Sequence, residues 1–399
     1  MVMNSAAQSG SIELRHNREN LPPKILIMVL KRSSSLPDFR HVKALRSNSN
    51  LTVPGKSGSP LLTLFLDDGR CELYNPIEGK TEKMLGDFSG SRFLASCGKW
   101  FLMLDSRSRL YIIDVFSKDR IGLPPLESVV SDLCSLKRVG DRDKEFTWEL
   151  TDGTVFNAFA DEIRASLWVD EKAEELALVW FFDAPAGFLC CYKKGNDHYN
   201  LIPVGQFGIP KMLTGLHGLV LRGYRLYILT TRNFVRVIDF SGKKGFEELT
   251  DSDPSPTFSP LGYSCNFSIA VTTAGEVLLV TNTVFERSER TFHVYKKDPN
   301  ADPDDYMPDL LEVHSLGDEA LLLDLGITVP ANPTLGIKPN SIYFTRHYLI
   351  RYGTSDRSRV LPPYEVDICV FNLATKTLEP FPAPPNMNLK DARWIFSLT

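Results

Sequence analysis

Seven histidines and seven cysteines are the first places to look for chemistry in this chain of 399 residues. Metal sites and nucleophilic catalysis need such side chains at fixed, short spacings. His16, His41, His198, His217, His293, His314 and His347 each stand alone. None forms the H-E-x-x-H pair that sets two imidazoles on one helix face. Cys71, Cys97, Cys134, Cys265 and Cys369 are also single, and Cys190 and Cys191 are adjacent. Neighbours in a strand point to opposite faces, so even that pair is separated. Without a C-x-x-C spacing no zinc site is expected, and the thiols read as buried and free in a reducing compartment.

Three further patterns bear on possible sites. Gly55-Lys56-Ser57 has the ending of a phosphate loop, but position 50 is Asn where the first glycine belongs and no strand precedes it. Asp298-Pro299-Asn300-Ala301-Asp302-Pro303-Asp304-Asp305 is acidic, yet a calcium loop needs a central glycine, a distal glutamate and two flanking helices. It reads as a solvated insertion. No G-x-S-x-G elbow is present. The sequence therefore predicts no catalytic residue, no metal site and no cofactor.

Composition narrows the partners. The formal net charge is −4 with Lys and Arg dispersed. Nucleic-acid affinity rests on clustered cations at phosphates, so no nucleic-acid partner is expected. No run approaches the roughly 18–20 apolar residues that span a bilayer, so no membrane partner is expected either. The polar stretch Met1 to Asn20 has no apolar core of a secretory signal. The expected location is cytoplasmic, nuclear or both; Arg15 and Arg18 keep an organellar presequence open, against Glu13 and Glu19. What remains is protein binding. Aromatic residues make up 11% of the chain. Those near turns, Tyr199, Tyr224 and Tyr364, are the candidates to anchor a partner, because desolvated aromatics dominate interface energies.

The elements that must position such residues come in two textures. Residues 1–20 read as a disordered N-terminus. Residues 21–50 read as a short helical segment: Leu21-Pro22-Pro23 opens it, since proline costs little at a helix start. Ile25, Met28 and Val29 then fall at helical spacing, and Asp38 caps a second run carrying Phe39, Val42 and Leu45. Residues 51–60 form a polar linker. From 61 to 399 the chain repeats strand, turn, aromatic strand and polar exit about six times, at intervals of roughly 40–75 residues. Leu61–Leu66 with Cys71–Tyr74 begins the series and Ser341–Thr345 with Asp367–Asn372 ends it. Phe146–Leu150 and Val155–Phe156 form an extra hairpin about Thr151-Asp152-Gly153. Asp161–Ala165 and Asp318–Leu323 are the places where helix is allowed, the second with turn and strand as its alternative. Repeats of this kind predict an all-β propeller of about six or seven blades, ahead of a β-sandwich or two smaller β domains.

Several motifs carry a resemblance. Ser341-Ile342-Tyr343-Phe344-Thr345, Asp367-Ile368-Cys369-Val370-Phe371-Asn372-Leu373 and Leu378-Glu379-Pro380-Phe381 resemble the closing signature of the plant KIB-type β-propeller family. Cys71-Glu72-Leu73-Tyr74-Asn75-Pro76 and Leu123-Pro124-Pro125-Leu126 resemble its early blades. In that family the propeller often follows an F-box. Leu21, Pro22, Ile25, Val29, Leu30, Phe39 and Val42 match the apolar and turn positions of such a module, while Arg46 and Ser49 stand where it carries Cys and Trp. The resemblance implies a substrate receptor of an SCF-type ubiquitin ligase, with those seven residues facing a Skp-type adaptor, a cullin beyond it, and the propeller on an unidentified target. Two other readings stay open: a propeller that binds proteins without the adaptor, and an enzyme with a pocket in the central channel.

Overall fold

The computed structural model describes residues 60–395, apart from residue 77 and the segments 141–143, 183–187, 204–217, 230–234, 243–245, 250–264, 286–288, 301–309, 346–367 and 381–388. All of them belong to one compact unit, residues 50–399. The expectations for residues 1–59, including Leu21, Pro22, Ile25, Val29, Leu30, Phe39 and Val42, lie outside the described residues, as does Tyr364.

Strand follows strand in up-and-down order. β1 (Leu61–Leu66), β2 (Arg70–Asn75) and β3 (Lys80–Asp87) form the first meander. Its first turn needs glycine: Gly69 has φ +89°, and a side chain there would collide with Ser89. β4 (Ser91–Cys97), β5 (Trp100–Asp105), β6 (Leu110–Asp114) and β7 (Arg120–Gly122) form a second sheet. An insertion follows: β8 (Val129–Val130), then β9 (Cys134–Arg138), β10 (Glu145–Leu150) and β11 (Val155–Phe159), the last three a separate three-stranded sheet. β12 (Ile163–Asp170), β13 (Glu175–Phe182), β14 (Phe188–Lys193) and β15 (Tyr199–Pro203) make the next sheet, and β8 adds in parallel to its outer edge, Val129 opposite Tyr199.

β16 (Leu219–Arg222), β17 (Arg225–Leu229), β18 (Val235–Asp239) and β19 (Glu247–Glu248) form the fourth sheet of the series. β20 (Cys265–Val271), β21 (Val277–Phe285), β22 (Glu289–Lys297) and β23 (Leu310–Glu312) form the fifth. The sixth holds β24 (Glu319–Leu322), β25 (Ile327–Pro330), β26 (Ser341–Phe344), β27 (Cys369–Asn372) and β28 (Thr377–Pro380), with β24 running parallel to β26 and a single bridge, Val271 to Ile327, linking it to the fifth. The final strand, β29 (Leu389–Ile395), returns to pair with β1, Leu62 opposite Trp394. The two ends of the repeat thus share one sheet, which closes the ring.

Side-chain alternation explains why the sheets stack. Successive residues of a strand face opposite ways. In the fourth blade Leu219, Leu221, Leu226 and Ile228 pack on Ala177, Val179 and Phe181 of the third. The intervening Val220, Tyr227 and Leu229 pack on Ile269, Val271 and Leu279 of the fifth. Blades five and six meet through Phe292, Val294, Phe344 and Phe371, blades six and one through Tyr343, Val370, Leu62 and Trp394, and blades one and two through Phe65, Leu73, Phe101 and Met103. Between blades two and three, β4 lies along β12. Each middle strand is covered on both faces, which is why β1 and β13 are almost continuously apolar and buried. The all-β propeller holds, with six radial sheets among the described residues. The two places left open for helix are resolved: Ala160–Glu162 is a single 3-10 turn that runs into β12, and Glu319–Leu322 is strand.

Candidate protein-binding surface

Turns and strand ends of neighbouring blades meet in a polar seam along one rim. Lys99 Nζ lies 2.9 Å from the buried Asp114 carboxylate and 2.9 Å from Glu171 of the next blade. Trp100 Nε1 donates to the same Glu171 at 2.7 Å. Trp168 stacks edge-on against Tyr224, ring centroids 5.7 Å apart, and Lys193 Nζ sits 5.6 Å from the Tyr224 ring. Arg222 then crosses to the carbonyl of Thr272 and, at 2.7 Å, to that of Thr273. The Thr273 hydroxyl donates to Glu319, which also accepts from Thr328 at 2.6 Å. The seam runs from blade two to blade six. Its residues sit on turns and at strand ends whose register the pairing fixes, for example Trp100 opposite Asp114 and Arg225 opposite Asp239.

The three candidate aromatic anchors separate. Tyr224 is half-buried on this rim between blades three and four. Burial, then the neighbouring Glu175 carboxylate, pushes its phenol up to about 12, so it stays a neutral hydrogen-bonding group. Tyr199 is corrected. Its side chain is fully buried, its ring is edge-on to Trp180 at 5.3 Å, and its hydroxyl donates to the Pro124 carbonyl at 2.8 Å. It sits beside the turn as expected, but β8 pairs alongside it and closes the surface over it. Tyr364 is outside the described residues.

A second surface, which the sequence did not flag as a site, is the three-stranded insertion. Phe146 and Trp148 turn inward against Phe182 and Phe188 of blade three. Arg92 of blade two ties its end down, donating to the carbonyls of Asp161, Ala160 and Ile163 at 2.6–2.9 Å. Burial lowers that guanidinium to about 10. At the same end, on the opposite edge strand, Arg138 pairs with Glu127 at 2.5 Å and lies over the Phe146 ring. Val130, Leu133, Val139, Val155 and Phe159 are exposed, so most of the large exposed apolar residues among those described fall in this insertion. The sequence held a signal for this. The Thr151-Asp152-Gly153 turn puts Val155 opposite Glu149 and Phe159 opposite Glu145, two apolar residues on a polar face.

Neither surface gathers reactive groups. Burial raises the thiols of Cys71, Cys97, Cys190 and Cys191, the last to about 12, away from the reactive thiolate. Among the described residues no three His, Cys, Asp or Glu side chains converge to hold a metal ion, and no helix is long and apolar enough to cross a membrane. The geometry offers recognition: an ordered polar rim and an apolar sheet.

Residues 72–372 match the family model described as the KIB1-4 beta-propeller. The chain belongs to the KIB1-4 beta-propeller family. It is 43% identical over 396 residues to F-box protein At5g25290 of Arabidopsis thaliana, covering 94% of this chain and 95% of that protein. F-box protein At2g14290 of the same plant is 44% identical over 388 residues, 94% and 96% covered. F-box protein KIB2, also from Arabidopsis thaliana, is 33% identical over 420 residues, 98% and 87% covered. The ring built from residues 61–395 is the KIB1-4 propeller, and its chemistry is that of a protein-interaction module.

Proposed function

We propose that this chain is the substrate receptor of an SCF-type ubiquitin ligase. The propeller holds a target protein, and residues 21–50 engage a Skp-type adaptor and through it a cullin. The observation that carries the reading is similarity to proteins named as F-box proteins over almost the whole chain rather than over the propeller alone. A receptor of this kind does no bond chemistry. It raises the local concentration of a target's lysines near a charged ubiquitin carrier, an effect worth 10²–10⁴-fold without any new contact. The free cysteines suit a reducing compartment, cytoplasm or nucleus.

The test is co-purification of the full chain with a Skp-type adaptor. Ile25→Asp places a charge in the apolar run that begins at Ile25 and abolishes that capture. No capture by the parent chain ends the receptor reading. A second reading has its own observation: Arg46 and Ser49 replace a Cys and a buried Trp of the module. In that reading the propeller binds its partner without the ligase, and deletion of residues 1–50 leaves both folding and partner binding intact.

A further inference from the structure

Sheet edges are where a propeller is exposed to unwanted pairing, because an edge strand offers a row of open N–H and C=O groups. The outer edges of this ring are each guarded. β3 carries Lys80, Glu82 and Asp87, and β7 is three residues long with Arg120. β19 is Glu247–Glu248, β23 is three residues long and ends on Glu312, and β28 ends on Glu379 and Pro380. β15 is covered by β8. β11 breaks the pattern. It forms one edge of the insertion sheet, it is five residues long, and its sequence Val-Phe-Asn-Ala-Phe contains no charge and no proline.

The register shows which groups are open. Leu150 N–H donates to Thr154 C=O, and Ala160 N–H to Lys144 C=O. Antiparallel pairs alternate, so Phe156 and Ala158 share the hydrogen bonds with β10. The N–H and C=O groups of Val155 and Asn157, and the Phe159 carbonyl, therefore point away from the sheet. The Phe159 N–H alone is used, donating to Glu162 at 3.0 Å. The side chains of Val155, 56% exposed, and Phe159, 44% exposed, lie on the open face beside these groups. The strand is held rigid at its end by the three Arg92 hydrogen bonds, so little ordering is needed on binding.

We infer that β11 is a docking edge for an extended segment of a partner protein, which adds to the insertion sheet as a further strand. Charge selects the occupant. Residues 145–162 carry Glu145, Glu149, Asp152, Asp161 and Glu162 and no Lys, Arg or His; Glu149 is paired with Lys137 of β9, so the acidity beside β11 is that of Asp152, Asp161 and Glu162 at its two ends. Asp152 lies in the turn before β11, and Asp161 and Glu162 lie just after it. The segment that fits has about five alternating apolar residues with a Lys or Arg at each end, spanning roughly 17 Å at 3.4 Å per residue. A second copy of β11 does not fit, because two such acidic hairpins repel. Within the receptor reading this segment belongs to the target, and the inference rests on that reading for nothing else.

The experiment uses the full chain and a fluorescent peptide, Val-Thr-Val-Thr-Val between two lysines. Anisotropy gives a Kd in the tens of micromolar, as expected for so small an interface, and hydrogen exchange slows at the Val155 and Asn157 amides. Asn157→Pro removes an outward N–H and leaves the β10 ladder whole. It weakens binding at least tenfold, as does N-methylation of alternate peptide residues. Should Asn157→Pro fail to fold, Val155→Lys with Phe159→Lys gives the same loss from the exposed face. Equal binding by the N-methylated peptide, unchanged binding by these variants, or no binding at 1 mM peptide overturns the inference. So does a dimer whose interface protects the same amides. Adaptor capture by the Val155→Lys, Phe159→Lys chain equals that of the parent, so failure of the receptor reading is read separately.

Discussion

Trp394 tests whether the last strand closes the ring. It lies in β29 opposite Leu62 of β1, it is 3% exposed, and its ring meets Tyr343 of blade six edge-on at 5.2 Å. Leu64, Val370 and Ile368 belong to the same cluster. Trp394→Ala removes a side chain that hides about 200 Å². At about 25 cal/mol per Å² that is about 5 kcal/mol, of which alanine retains about 1. The expected cost is about 4 kcal/mol, inside the usual span for Trp→Ala in a core. For a domain of this size each kcal/mol lowers Tm by about 2 °C, so the fall is about 8 °C. Trp394→Phe keeps an edge-to-face ring and loses about half as much. Circular dichroism melts and limited proteolysis measure both, with Phe246→Ala, at a 41% exposed side chain, as the neutral control. If Trp394→Ala melts with the control, β29 does not hold the ring together and the closure argument fails.

Gly326 has φ +64°, and a side chain there would meet Val220 and the Ile269 carbonyl, so Gly326→Ala costs about 1–3 kcal/mol. Gly79→Ala, at φ +66° in open space, costs less, and equal melting points refute the close approach. The hydrogen bond from His293 holds the Glu312 carboxyl below its ordinary range, helped by the charges of His293, His314 and Lys376. A lowered folded pKa stabilises above the unfolded value, about 4.3, and that stability is lost as pH falls through the folded value. The Tm gap between the parent and Glu312→Gln therefore shrinks from pH 5.5 to pH 3, and a constant gap refutes it. Cys71, Cys190 and Cys191, buried and with raised thiol pKa, resist alkylation at pH 8 until guanidinium unfolds the chain; fast native labelling contradicts their placement.

Much of the ring was legible because its signal is local. Alternation and turn residues locate a strand from six or eight neighbours, and β1, β2, β10 and β26 fall where that pattern puts them. The pairing of β29 with β1 was not legible, since it joins residues more than three hundred positions apart. The sixth blade shows the same limit: nothing local distinguishes a parallel β24–β26 pair from an antiparallel one. Tyr199 failed as an anchor for a related reason. Its proximity to a turn is a local fact, but the strand that covers it, β8, comes from seventy residues earlier. Val155 was visible as a strand residue and Phe159 was not, and only the three-dimensional course of the sheet shows that no described strand pairs with their edge.

The two surfaces offer different kinds of energy to a partner. On the rim, the Glu171, Arg222 and Glu319 groups already have partners across blade seams, and Asp114 has Lys99 within its own blade. A ligand that displaced those partners would trade one charge-assisted bond for another and leave a buried group unpaired, at a cost of about 1–3 kcal/mol. Rim contacts therefore reward a partner only through the exposed tips, such as Tyr224, and serve discrimination more than affinity. At β11 the backbone groups of Val155 and Asn157 point outward from the sheet with no strand beside them among the described residues, so an added strand takes nothing from that sheet and gains main-chain hydrogen bonds that any sequence can make. Main-chain pairing alone does not select a partner. The carboxylates at the two ends of β11, Asp152, Asp161 and Glu162, and the rim beyond them supply the selection. A target that uses both surfaces then gains affinity from the edge and identity from the charges.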